Sequence, residues 1–167
     1  MTNPGALTVP VGCTAPDFAL AVIHDGQVTL SDVRGRIVVM AFYPGDLIPV
    51  RGDQCPVLVS HRADFEALDA FMIGIPVDGI FSHAAIVGAR GIGFDLVADL
   101  EPKGAVARRY GIYRDYLGFN RRALVVIDTR GIVRWVNVID RDGEPDRDPG
   151  PAEELSAVLD VAVTDPG

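Results

Sequence analysis

The sequence is poor in cysteine and histidine, and this excludes several kinds of protein. Its two cysteines, Cys13 and Cys55, are too few for a disulfide framework, and neither stands in a CxxC or Cys/His ligand spacing. We therefore expect no structural metal, and nothing in the pattern indicates a cofactor. Each free cysteine is either a small buried side chain or a reactive thiol, and its surroundings decide which.

Long apolar runs and basic stretches are also missing. No run approaches the roughly 20 apolar residues of a membrane span, and residues 1–10 lack the basic start and apolar core of a signal peptide. We expect a cytoplasmic protein with no membrane partner. The net charge is −8 and there is no basic stripe, which argues against nucleic-acid binding. Lys103 is the only lysine beside fourteen arginines, a bias that a GC-rich genome explains.

The residues that are present indicate one globular domain. The chain has 167 residues, 49% of them hydrophobic, which is enough for a single core. We expect residues 1–11 to form a flexible leader and residues 12–163 to form the domain.

The hydrophobic pattern predicts strands that alternate with helices. Residues 37–42 are a continuous apolar run, typical of a strand covered on both faces. Between Gly52 and Ala70 the apolar positions recur at helical spacing. The other predicted elements are a β-hairpin over residues 18–30, strands at 71–77, 94–97, 123–128 and 132–136, and helices at 82–89, 105–110 and 153–163. This order predicts an α/β sandwich with a mixed central sheet.

The segment from Phe42 to Cys55 joins the first central strand to the first long helix. It contains two prolines, two glycines and two aspartates between an apolar run and an amphipathic segment. Ligand and catalytic sites of α/β proteins lie at such strand-to-helix junctions. We therefore expect the functional site there.

Several motifs, taken together with the order of elements, point to a known family. They are Ala15-Pro16-Asp17-Phe18, Leu30-Ser31-Asp32 with Arg34-Gly35, Phe42-Tyr43-Pro44, Phe81-Ser82-His83, Asp99 with Gly104-Ala105-Val106-Ala107, Tyr110-Gly111, and Arg122 ahead of Val126-Ile127-Asp128. With these motifs the chain resembles the peroxiredoxins of the AhpC/TSA group over nearly its whole length. The resemblance implies a thioredoxin-like fold with helices flanking the mixed sheet and an N-terminal β-hairpin, thiol peroxidase chemistry and a homodimer. The segments at 103–107 and 143–144 are most similar to one-cysteine peroxiredoxins of actinobacteria.

The resemblance also assigns roles within the junction. In that family the loop carries a threonine, a proline and the peroxidatic cysteine, while a helix N-terminus and a distant arginine lower the pKa of the thiol. Pro49 and Arg122 match the proline and the arginine, and Gln54 keeps a polar position after the cysteine. However, Ile48 stands at the position of the threonine and Arg51 at that of the cysteine.

The loss of the thiol at position 51 leaves Cys55 as the cysteine closest to the site in sequence. Cys55 lies four residues further on, about one helical turn and roughly 6 Å away. It shares a helix face with Leu58 and Phe65, which favours burial and a raised thiol pKa, whereas the nearby Arg51 would lower the pKa. Both interpretations of Cys55 stay open, with the buried structural thiol favoured.

Two arginines at a helix N-terminus require a negative partner. Arg51 and Arg122 would face a positive helix end, an arrangement that is costly unless an anion joins them. Asp46 and Asp53 could pair with Arg51 and fill the site. Alternatively, a bound carboxylate, phosphate or enolate could be held by bidentate arginine contacts.

Two further residues are candidates for the site. Tyr43 follows the central strand and is expected to line the pocket, although a half-buried tyrosine at a strand end needs no function. His83 opens a predicted helix and is either a histidine near a helix end or a general acid or base.

The sequence thus predicts a peroxiredoxin-like fold with a rebuilt site. The leading hypothesis is an enzyme of specialised metabolism, without peroxidase activity, that binds or transforms an anionic or oxygenated small molecule. Arg51, Arg122 and Tyr43 would act on that molecule, and Asp46, Ile48, Pro49, Gln54 and His83 would line the pocket. The alternatives are a thiol peroxidase that uses Cys55 and a dimeric interaction protein without catalytic activity.

Overall fold

Strand β3, Val38–Phe42, lies inside the sheet, and all five of its residues are buried. The computed structural model describes residues 9–22, 26–44, 62–79, 95–138 and 150–164. Within these ranges β3 pairs with the parallel strand β4, Phe71–Ile75, on one side and with the antiparallel strand β8, Ala123–Ile127, on the other. The run of β-branched residues predicted as the first central strand is therefore confirmed.

The remaining described elements extend the sheet and cover it. The strands form a seven-stranded mixed sheet in the order β2-β1-β5-β4-β3-β8-β9, and a separate small hairpin pairs β6 with β7. These elements are β1 (Ala19–Val22), β2 (Gln27–Thr29), a 3-10 turn (Leu30–Val33), α1 (Arg62–Ala67), β5 (Asp95–Ala98), α2 (Ala105–Tyr110), β6 (Tyr113–Arg114), β7 (Phe119–Asn120), β9 (Val133–Val138) and α3 (Gly150–Thr164).

Hydrophobic cores lie on both faces of the sheet. Because successive side chains of a strand point to opposite faces, the residues of β3 divide between the two cores. Val38, Met40 and Phe42 pack on the face that carries α2. Val39 and Ala41 pack on the other face, with side chains of α1 and α3. The predicted mixed sheet flanked by helices is confirmed.

The predicted boundaries differ from the structure in a few places. The ends of the strands predicted at 71–77, 94–97 and 132–136 differ from the observed ends by no more than two residues. Leu30 was expected to continue the second strand but begins a 3-10 turn, because the Asp17 carboxylate accepts hydrogen bonds from the N–H groups of Phe18 and Ser31 and bends the chain there. Helix α3 begins at Gly150 and not at residue 153, since Pro151 is tolerated in a first helical turn.

Other predictions fall partly outside the described residues. The helix expected between Gly52 and Ala70 is described only over α1, and the helix expected at 82–89 lies outside. The expected leader, residues 1–11, is described only from Val9, which is buried. No helix among the described residues is long and apolar enough to cross a membrane.

Asp99 links the sheet to helix α2. It follows β5, is almost fully buried, and accepts hydrogen bonds from the backbone N–H groups of Val106 (3.1 Å) and Ala107 (3.0 Å). The carboxylate thus satisfies donors of the first turn that have no partner within the helix. Gly104 precedes the helix in the left-handed conformation, where a Cβ would collide with the ring of Tyr113.

We expect Asp99→Ala to lower the free energy of unfolding by about 2–3 kcal/mol, because two buried N–H groups lose a charged acceptor. Urea unfolding followed by circular dichroism measures this loss. Asp95→Ala, at the exposed start of the same strand, is the matched control and should stay within about 0.5 kcal/mol. Equal losses in both variants would contradict the capping role of Asp99.

Candidate functional site

The strand ends that form the candidate site lie together at one edge of the sheet. β3 and β4 are parallel, so both end at this edge, and the antiparallel β8 begins there. The register pairs Phe42 with Ile75 on one side and with Ala123 on the other. These three residues form the last row of the sheet before the chain leaves β3 towards the junction segment.

Tyr43 and Arg122 lie one step beyond this row. Tyr43 follows Phe42 in the chain and Arg122 precedes Ala123, so both lie just beyond the last pair of the β3–β8 register. Tyr43 is 6% exposed and Arg122 is 7% exposed. A guanidinium that is removed from water needs compensating polar or charged contacts, and Arg122 does make contacts of this kind. Tyr43 and Arg122 thus lie at the same end of the sheet, and their roles in a site stay predictions.

Asn120 is a third polar residue at this edge, and sequence reasoning missed it. Its side chain is fully buried, and Nδ2 donates a hydrogen bond of 2.8 Å to the carbonyl oxygen of Ile75, at the end of β4. Its Oδ1 is buried without a hydrogen-bond partner among the residues that the structure describes. Arg121, between Asn120 and Arg122, is also buried, and its backbone N–H donates to the carbonyl oxygen of Ile112.

The core behind the row holds β3 in place. The ring of Phe42 packs against Tyr110, with ring centroids 5.6 Å apart. The Tyr110 hydroxyl donates to the carbonyl oxygen of Pro16 at 2.9 Å. Burial raises the pKa of Tyr110 well above its ordinary value, so this hydroxyl stays protonated and remains a donor. The contact connects α2, the end of β3 and the Ala15-Pro16-Asp17-Phe18 motif.

The other predicted site residues lie outside the described ranges. These residues are Asp46, Ile48, Pro49, Arg51, Asp53, Gln54, Cys55 and His83. Their roles stay predictions from the sequence. Among the residues that can be placed, Cys13 is exposed, and no group of three or more histidine, cysteine, aspartate or glutamate side chains could hold a metal ion.

The architecture defines a class of protein. A mixed sheet with three neighbouring parallel strands, β3, β4 and β5, covered by helices on both faces, is the thioredoxin-like fold of peroxiredoxins. A reduced 2-Cys peroxiredoxin from Plasmodium vivax superimposes with a TM-score of 0.79 at 24% identity, over 92% of this chain and 97% of that one. The peroxidoxin BcpB from Mycobacterium tuberculosis gives 0.77 at 25% identity, over 92% and 98%.

Sequence comparison identifies the family. The model of the AhpC/TSA family matches residues 11–136, and the chain belongs to that family. Peroxiredoxin-2 of Mus musculus is 31% identical over 140 residues, which cover 78% of this chain and 70% of that protein. Peroxiredoxin-1 of Gallus gallus is 38% identical over 145 residues, with the same two coverages. The resemblance found in the motifs is confirmed.

We expect the double substitution Ile48→Thr with Arg51→Cys to create peroxide-reducing activity on this scaffold, because it places a thiol and a hydroxyl at the positions that the family motif assigns to them. Consumption of hydrogen peroxide in the presence of dithiothreitol measures the gain. The background should be Cys55→Ser, so that any sulfenic acid in that segment lies at position 51.

Ile48→Thr alone is the matched control, since it has no thiol at position 51 and should not differ from the parent. A folded double variant without peroxide turnover would contradict this prediction.

Proposed function

We propose that this protein binds an anionic or oxygenated small molecule at the carboxyl edge of β3 and β4, and does not reduce peroxide with a thiol at position 51. The observation that carries the proposal is Arg51 itself. An arginine stands where the family motif has its nucleophile, while Arg122 keeps the place of the distant arginine. The burial of Arg122 and Tyr43 at the same end of the sheet supports a site at this edge.

The charge of this site favours an anionic ligand. A peroxidatic thiolate would bring one negative charge to a positive helix end. Arg51 would bring a second positive charge instead, so an anionic partner for Arg51 would be favoured there. Arginine is well suited to carboxylates and phosphates, because its planar fork donates two parallel hydrogen bonds. Asp46 or Asp53 could supply the anion internally and is the competing explanation.

The same groups could support chemistry on the ligand. Hydrogen-bond donors that face a developing negative charge in a site shielded from water stabilise an oxyanion or enolate transition state. Arg51 and Arg122 would supply the charge and Tyr43 a hydroxyl donor, with Pro49, Ile48, Gln54 and His83 around the ligand. We infer an enzyme of specialised metabolism on this basis, in the cytoplasm and as a homodimer. If no ligand binds, the alternative is an interaction protein without catalytic activity.

We expect small anions to raise the melting temperature of the wild-type protein and to do so much less for Arg122→Met. The probes are acetate, succinate and inorganic phosphate, tested at constant ionic strength. An anion at a free concentration of about 100 times its Kd raises the free energy of unfolding by about 2.7 kcal/mol. Loss of a charge-assisted contact should weaken Kd by about tenfold or more. Thermal shift and calorimetric titration measure both quantities.

Arg130→Met is the matched control for Arg122→Met. Arg122 precedes β8 and Arg130 follows it at the opposite edge of the sheet, where its side chain is 64% exposed. The control should bind each probe like the wild type. No stabilisation by any anion, or equal stabilisation of both variants, would contradict the proposal and favour a site closed by Asp46 or Asp53.

A second candidate function is thiol peroxidation through Cys55, and the relatives favour it because they are named peroxiredoxins. In this reaction the Cys55 thiolate attacks one oxygen of hydrogen peroxide and the O–O bond breaks. The sulfur is oxidised to sulfenic acid, and the second oxygen leaves as hydroxide, which takes up a proton from the solvent to become water. Our leading proposal expects no such adduct at Cys55.

Mass spectrometry after treatment with about one equivalent of hydrogen peroxide tests this reaction. The exposed Cys13 is an internal reference for unassisted oxidation. Preferential oxidation of Cys55 over Cys13, together with peroxide turnover that Cys55→Ser abolishes, would replace the leading proposal by the second one.

A further inference from the structure

We propose that Asn120 determines ligand specificity, its Oδ1 accepting a hydrogen bond from a hydroxyl or amino group of a ligand whose anionic oxygens bind Arg122. The inference rests on the proposed anion site and adds the chemical class of its ligand. That class is a small acid with a hydrogen-bond donor near its anionic group, such as a hydroxy acid or an amino acid.

The orientation of the Asn120 amide is the first argument. Nδ2 donates to the carbonyl oxygen of Ile75 at 2.8 Å, and this contact identifies the nitrogen and leaves Oδ1 as the acceptor end of the group. The side chain is fully buried, yet Oδ1 has no hydrogen-bond partner among the described residues. A buried acceptor without a partner is unfavourable, so an apolar residue would serve the core better.

The position of Asn120 is the second argument. Ile75, Phe42 and Ala123 form one row across three neighbouring strands. Asn120 and Arg122 are two residues apart in the chain, so their Cα atoms lie at most about 7.6 Å from each other. Asn120 bonds to the Ile75 end, and Arg122 adjoins the Ala123 end. A small acid with a donor next to its anionic group therefore has a suitable size to contact both side chains.

The third argument is a comparison with other buried polar groups of the described sheet. Nδ2 of Asn137, in β9, also lacks a hydrogen-bond partner within the described part of the chain, but it is a donor, whereas Oδ1 of Asn120 is an acceptor. Asp128, at the opposite edge, accepts from the N–H groups of Arg130 and Ile132 with Oδ1 and from Nε of Arg134 with Oδ2. It holds the turn between β8 and β9 and leaves no oxygen unused. Asn120 leaves its acceptor unused at the edge where the candidate site lies, which fits a group completed by a ligand.

Matched pairs of acids test the inference on the full-length wild-type protein. The pairs are glycolate with acetate, L-lactate with propionate, and malate with succinate, each differing by one hydroxyl group. Calorimetric titration should give tighter binding of the hydroxylated member by about fivefold, the effect of one added hydrogen bond. Equal binding within each pair contradicts the inference alone, because the anion site would still exist. Binding of none of the six acids contradicts the proposed function and the inference with it.

Asn120→Leu separates a specificity role from a structural one. Leucine fills a similar volume without an acceptor, so the preference for the hydroxylated acid should disappear while its partner acid still binds. If Asn120 only holds the backbone in place, both acids lose affinity by the same factor and the preference survives. Should this variant fail to fold, the wild-type comparison still decides, and Asn120→Ala repeats the test with a smaller side chain.

Discussion

The register between β3 and β8 is the constraint on which the site depends. It pairs Phe42 with Ala123 and thereby brings Tyr43 and Arg122 to the same end of the sheet. A slip of one residue would turn every side chain of β8 to the other face of the sheet, and would place Arg121 where Arg122 now lies. The slip is opposed by two cores at once, since Val125 and Ile127 pack on one face and Leu124 and Val126 on the other. Hydrophobic packing thus fixes the position of a charged group.

Packing on both faces also explains why the polar chemistry lies at strand ends. Within β3, β4 and β8 nearly every side chain is buried and apolar, and a polar group there would need a partner that the core does not supply. The buried polar residues lie instead at strand ends: Asp99 follows β5, Asp128 follows β8, and Asn120 is the last residue of the short β7. Asp99 and Asp128 make the hydrogen bonds of a cap and a turn, whereas Asn120 makes only part of those available to it.

Much of the fold could be predicted from the sequence, because periodicity reports burial. Residues 37–42 and 105–110 and the hairpin around Gly131 were recognisable from apolar runs and turn residues. The two-residue strands β6 and β7 were missed, since pairs this short depend on tertiary packing and have no period of their own. Tyr43 and Arg122 could be found from family motifs. Asn120 could not, because neither its bond to Ile75 nor its unused acceptor leaves a trace in the sequence.

Family membership favours thiol peroxidation, whereas the arginine at position 51 favours binding of an anion. The charges of the groups at the site connect these two arguments. A thiol peroxidase uses a positive environment to keep a sulfur anionic, so its arginine and helix end stabilise a charge that the protein itself supplies. If Arg51 takes that position, as we propose, the protein supplies a cation there, and an external anion or an aspartate would stabilise it. The peroxiredoxin fold can thus be kept while its electrostatic role changes from activating a nucleophile to holding a ligand. In a thiol peroxidase the arginine would stabilise a thiolate, and in the proposed function Arg122 would stabilise an anionic ligand. The scaffold around Arg122 would be retained in both cases, because a cation stabilises an anion.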